Sequence, residues 1–199
     1  MTTQSQTVNE PESITALPQA NPVPPATDAT REAELDRMIL NAAILNGALE
    51  IMPDRLATFA IVPLQMRLVY RIGKQYGFEL DRGHIKDFLA TMGIGLTSQF
   101  LEGYAQRFLG GLTRRFAGGL LGRLAGQAAS AAVGFATTYA LGQVARRYYA
   151  GGRTLNAAQL RDTFSSMLQD GRSLAGSHAD DIAAKSRQVN LADLLPLTK

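Results

Sequence analysis

The chain has no cysteine and no tryptophan, and only two histidines, His84 and His178, far apart in sequence. Without cysteine there is no disulfide framework, no thiol nucleophile and no thiolate metal site. A phosphate-binding loop is missing too: Gly73-Lys74 lacks the upstream glycine such a loop needs. The half-motif "GIGLTS" at Gly93–Ser98 follows no strand, so it is not read as a dinucleotide fingerprint. No H-E-x-x-H occurs, and the carboxylates do not cluster beyond Asp180-Asp181. An active site needs convergent polar groups with tuned pKa values, and the sequence assembles none. The chain is therefore read as non-enzymatic, with no catalytic residue, metal or cofactor. No basic start followed by an apolar stretch opens it, so no signal peptide is expected.

Acidic residues are also absent from one long stretch. Between Gly103 and Arg161 there is no Asp or Glu, while Arg107, Arg114, Arg115, Arg123, Arg146, Arg147, Arg153 and Arg161 bring eight positive charges. Residues 1–30 show the opposite sign, with Glu10, Glu12 and Asp28 and no Lys or Arg. The formal net charge of +3 hides this division. A basic segment of one sign suits an anionic partner, and a solvated basic face is the plainer alternative.

What is present is helical patterning. Residues 1–30, rich in Pro, Thr, Gln and Asn, are read as a disordered tail that cannot bury enough apolar surface to order itself. A helical domain is expected over 31–189 and a short tail over 190–199. In "REAELDRMILNAAILNGALEIMP", Leu35, Met38, Ile39, Ala42, Leu45, Leu49 and Met52 recur at three- and four-residue steps, and Pro53 closes the helix. Pro63 is placed in the first turn of a second helix that ends at Tyr76-Gly77, with Arg67, Arg71 and Lys74 on a separate face. Asp81 is the expected N-cap of a third. Its uncharged continuation, Phe88–Phe100, suits a buried helix or a shallow membrane insertion. Glycine pairs at 110–111, 118–119 and 151–152 should break or stop helices. Asn156 and Gln159 form a capping-box variant for a last helix over 157–188, interrupted at Gly171 and Gly176. No segment alternates as a strand would. The expected fold is thus all-α: a bundle or set of hairpins around a glycine- and alanine-rich central helix, either soluble or embedded in a membrane.

That central helix carries the main ambiguity. Leu124–Ala145 has no charged residue, which gives it the length of a membrane span. Gln127, Ser130, Thr137, Thr138 and Gln143 make it a weak one. Gly118, Gly122, Gly126, Ser130, Gly134, Thr138 and Gly142 fall at four-residue intervals and are all small. Such a row lets helix backbones approach closely, within one chain or in a homo-oligomer. It drifts about 40° per step round the helix, so one straight partner cannot follow all of it. Arg114, Arg115, Arg123, Arg146 and Arg147 are the expected contacts to an anionic surface. Followed by Tyr148-Tyr149, the last two read as an interfacial anchor in preference to a nucleic-acid contact, because no nucleic-acid-binding motif accompanies them.

"IVPLQMRLVYRIGKQYGFEL" and the later "GFATTYALGQVARRYYAGGRTL" resemble the YcjF-like family of bacterial domains of unknown function over roughly residues 40–170. The resemblance is carried by the Tyr76-Gly77 helix end and by the Thr138–Gly142 motif with Tyr139 and Gly142. It implies an all-helical domain, often membrane-associated on the cytoplasmic side, found beside or fused to small GTPases. It supplies no catalytic residue, and these residues contain no GTPase domain. The expectation is a membrane-associated helical protein that acts by helix–helix association or partner docking. The alternatives are a soluble adaptor for a P-loop GTPase and a nonspecific nucleic-acid binder.

Overall fold

The computed structural model describes residues 28–52, 55–94 and 119–190, and these are all-helical. Six helices follow one another: α1 (Asp28–Ile51), α2 (Arg55–Gln75), α3 (Arg82–Thr91), α4 (Gly119–Ala150), α5 (Ala157–Ser177) and α6 (Ala179–Gln188). Residues 1–27, the 95–118 segment and the tail from 191 lie outside the described residues. With them lie Gly118, the glycine pair at 110–111 and the arginines at 107, 114 and 115.

The charge-free stretch Leu124–Ala145 forms most of α4, the centre of the bundle. It packs most extensively on α1 and α5, and to a lesser extent on α2 and α6. Apolar on nearly every side, it buries Phe135, Ala136, Ala140, Leu141, Val144 and Ala145. A helix apolar all round belongs in a core or a membrane. Among the described residues no helix is long and apolar enough to cross a membrane. The neighbours of α4 are other helices of this chain.

Small residues set how closely those neighbours come. A Cβ on Gly134 would lie 3.1 Å from the Asn46 carbonyl oxygen of α1, and one on Gly142 would lie 2.8 Å from Ile39 Cγ1. From the α1 side, a Cβ on Gly47 would stand 3.0 Å from the Ala131 carbonyl. On another side of α4, a Cβ on Gly171 would stand 2.9 Å from the Ala136 Cα. Between Gly134 and Gly142, Thr138 turns toward α2, where its Oγ1 accepts a hydrogen bond from Gln65 Nε2 at 3.1 Å. The buried members of the row thus meet both α1 and α2. It does not extend uniformly: Gly126 is exposed, with open space where a side chain would be.

Three expectations need correction. Pro63 lies inside α2, which already starts at Arg55. Burial of Ala60 and Leu64 against Leu49 holds the helical path across the proline, offsetting the lost backbone bond. The final helix is divided at His178, and Gly171 sits uninterrupted within α5. Glycine there serves close packing, while the turn at His178 redirects the chain so that Ile182 joins Phe135, Ala43 and Ala175 in one cluster. Lastly, Tyr149 is not a surface anchor but a core residue, and Tyr148 beside it is half-buried. Tyr148 stacks on Phe88 with ring centroids 5.2 Å apart, and Tyr149 is buried between Phe78 and Phe88. Burial pushes the Tyr149 hydroxyl up to about 12.

Helix ends follow local chemistry. Gly77 (φ +80°) and Gly152 (φ +69°) supply the left-handed residue that closes α2 and α4. The following amides, Phe78 N–H and Arg153 N–H, donate to the Gly73 and Tyr148 carbonyls at 3.0 and 2.8 Å. Asn156 and Gln159 complete the expected capping box at the start of α5.

Candidate functional site

The sequence-derived site residues separate into three groups. Gly134, Thr138 and Gly142 are buried contacts of the bundle, as described above. Tyr76 and Arg146 form a clasp with α1. The Tyr76 hydroxyl donates to Glu32 Oε1 at 3.0 Å, and the Arg31 guanidinium lies 5.2 Å from the Tyr76 ring centre. Burial first, and then the Glu32 carboxylate, raise the Tyr76 pKa. Arg146 pairs with Glu32 and, at 2.6 Å, with Asp36. The guanidinium proposed for an anionic surface is thus engaged by two acids of its own chain. Arg147, one residue on, is exposed. The third group is Gly122 and Arg123, in the first turns of α4, and Ser130, half-buried further along. Tyr139, from the family motif, is half-buried and stacks on Phe135 at 6.3 Å.

The histidines do not meet. His84 lies in the first turn of α3, where its backbone N–H donates to the N-cap Asp81 Oδ1 and its ring Nδ1 lies 2.8 Å from Asp81 Oδ2. His178 stands at the α5–α6 turn, 2.8 Å from Asp181 Oδ2 and stacked on Phe135. Among the described residues no three His, Asp or Glu side chains converge as a metal-binding group.

A surface feature that sequence reading did not assemble is a groove of about 730 Å³ along α1 and α2, to which α6 contributes Lys185. Its floor is Met38, Ala42, Ile44, Leu45, Leu64 and Leu68. Arg37, Arg67, Arg71 and Lys185 line it with positive charge, and Glu34 is the one acid among its lining residues. All four cations are exposed. None of them is in an ion pair with another described residue, whereas Arg31, Lys74 and Arg146 are. Helix geometry explains the arrangement. Leu64 and Leu68 are one turn apart on α2, and Arg67 and Arg71 repeat that spacing at the rim. On α1, Met38, Ala42 and Leu45 form the matching apolar row. The two helices are antiparallel, with Leu49 beside Ala60 at one end and Glu32 beside Tyr76 at the other.

Asn46 also lines the groove. It is fully buried, its Nδ2 donates to the Ala42 carbonyl at 3.0 Å, and its Oδ1 has no hydrogen-bond donor. A buried acceptor left unpaired costs about 1–3 kcal/mol. The face bearing Arg67 and Arg71 was evident from helical spacing. The contributions of Arg37 and Lys185 depend on tertiary packing.

Comparison of the chain with protein-family models, with curated proteins and with solved structures gives no match. The YcjF-like resemblance therefore rests on its two motifs alone.

Proposed function

We propose that this protein acts by binding and not by catalysis, as a helical docking module that presents the α1–α2 groove to a partner. The observation that carries this reading is the groove itself. Four exposed cations without ion-pair partners among the described residues surround six apolar side chains. A strip of half-buried Met38, Ala42, Ile44 and Leu45 over buried Leu64 and Leu68, with a charged rim, has the composition of an interaction site. Gly134, Thr138 and Gly142 of the small-residue row are taken up in internal packing, so association through that part of it is not the favoured mode.

Site-specific photo-crosslinking in cells tests the reading. A photoreactive residue at Asn41, exposed in the groove, should give a discrete adduct, while one at Ser166, exposed on α5, should not. The adduct should disappear in Arg67→Glu/Arg71→Glu. Equal labelling from both positions, or an adduct indifferent to the charge reversal, would remove the groove as the docking face.

A second observation keeps membrane association in the proposal, in peripheral form. Arg147 and Arg153 are exposed within the acid-free stretch, and neither lines the groove. Exposed arginines of one sign suit anionic headgroups without requiring a spanning helix.

A further inference from the structure

We infer that the groove takes an acidic amphipathic helix of a partner protein, a reading that rests on the docking role proposed above. Three properties of the groove select this occupant. First, its positive charge is distributed along its length. Arg37 and Arg71 stand toward the Glu32–Tyr76 end, Arg67 follows one turn on, and Lys185 comes from α6 at the other end. A single anionic headgroup would use one end only, whereas a helix with acids on its flanks would meet each cation in turn.

Second, the groove is open. Its rim residues Arg37, Asn41, Arg67, Arg71, Gln75 and Lys185 are all exposed. An acyl chain binds best where most of its surface is enclosed. A helix needs only one apolar stripe buried and leaves its polar face in water.

Third, the dimensions match. From Glu34 to Asn46 the α1 wall rises about 18 Å at the helical increment, or roughly three turns. An apolar stripe at i, i+3 or i+4 and i+7 on the partner would lie over Met38, Ala42, Leu45, Leu64 and Leu68, forming a third helix against an antiparallel pair.

The experiment uses the full chain and three defined probes. One is a helical peptide with leucines at i, i+3, i+4 and i+7 and glutamates at its flanks. The second keeps the leucines but replaces the glutamates with lysine. The third is a single-chain alkyl phosphate below its micelle concentration. Amide chemical-shift mapping locates each probe, and titration gives its affinity. The glutamate peptide should shift α1 and α2 groove amides, bind at least about tenfold more tightly than the lysine peptide, and weaken as salt is raised. Arg67→Glu/Arg71→Glu should reverse the order of the two peptides while leaving the circular-dichroism spectrum unchanged. If the alkyl phosphate or the lysine peptide occupies the groove more tightly than the glutamate peptide, the acidic-helix inference falls and the docking role stands. If no probe shifts a groove amide, both fall.

Discussion

At the scale of single residues, Gly134 and Gly126 show how one sequence pattern can carry two meanings. Both belong to the four-residue row, two turns apart on α4. A side chain on Gly134 would meet Glu50 Cγ at 2.6 Å and the Asn46 carbonyl at 3.1 Å; one on Gly126 would meet nothing. Glu50 can swing aside, but the backbone carbonyl of α1 cannot move without the helix. Gly134→Leu should therefore destabilise the fold by about 1–3 kcal/mol, as overpacking of a tight contact does. Gly126→Leu should stabilise α4 slightly, by up to about 0.8 kcal/mol, because leucine is the better helix former. Thermal melts of the two variants should move in opposite directions, and equal shifts would contradict the placement of α4 against α1. Glu50 itself supports a pH prediction. Burial raises its pKa above the usual glutamate value, and it has no ion-pair partner among the described residues. Above the unfolded pKa the folded state holds this proton more tightly than the unfolded chain does. Its contribution to stability is thus greatest below that pKa and is lost as pH rises through the raised folded value. Glu50→Gln should melt higher than the parent at neutral pH, and the gap should close as the pH falls below about 4.5. A gap that persists or widens in acid would show that burial is not what governs this carboxyl.

At the scale of elements, local chemistry and packing decide different things. The capping box at Asn156–Gln159 is complete within four residues, with both side-chain bonds formed. Asn156→Ala should cost about 1 kcal/mol and lower the melting temperature by roughly 2–4 °C. A loss much smaller than this would mean that α5 is held by its Phe164 and Leu168 face alone. The cap was legible in the sequence because it depends on nothing beyond its own turn. So were the Asp81 cap, the glycine ends at Gly77 and Gly152, and the apolar stripe Leu35, Ile39, Ala42, Leu45 and Leu49, whose three- and four-residue spacing is a property of one helix. Where competing long-range packing entered, local rules were insufficient. Pro63 is a good first-turn residue in isolation, yet the contact of Ala60 and Leu64 with Leu49 extends the helix past it. Tyr148-Tyr149 beside two arginines has the composition of an interfacial anchor, but Phe78 and Phe88 arrive from distant segments to cover the rings. Arg146 reads as a free cation until α1 brings Glu32 and Asp36 against it. The groove was half-legible for the same reason: Arg67 and Arg71 share a turn of α2, while Arg37 and Lys185 come from α1 and α6.

For the whole molecule, the division of charge suggests a bundle that can meet two anionic surfaces with different parts. The groove uses cations of α1, α2 and α6, while the acid-free stretch contributes Arg147 and Arg153 from the end of α4 and the turn that follows. No described helix is long and apolar enough to cross a membrane, and the peripheral attachment proposed above would be electrostatic. Attachment of that kind has a definite signature. Each arginine close to an anionic surface contributes about 1 kcal/mol, so reversing Arg114, Arg115 and Arg147 together should weaken binding to anionic vesicles by about a hundredfold or more. Arg146 is left in place, because its pairing with Glu32 and Asp36 joins α4 to α1 and its reversal would disturb the fold. The parent protein should leave anionic vesicles in high salt and ignore neutral ones. Vesicle co-sedimentation of the parent, the triple reversal and the groove variant Arg67→Glu/Arg71→Glu separates the two surfaces. A loss confined to the triple reversal assigns lipid to the acid-free stretch, and a loss confined to the groove variant assigns it to α2. Equal binding of the parent to neutral and anionic vesicles would remove the electrostatic membrane reading altogether.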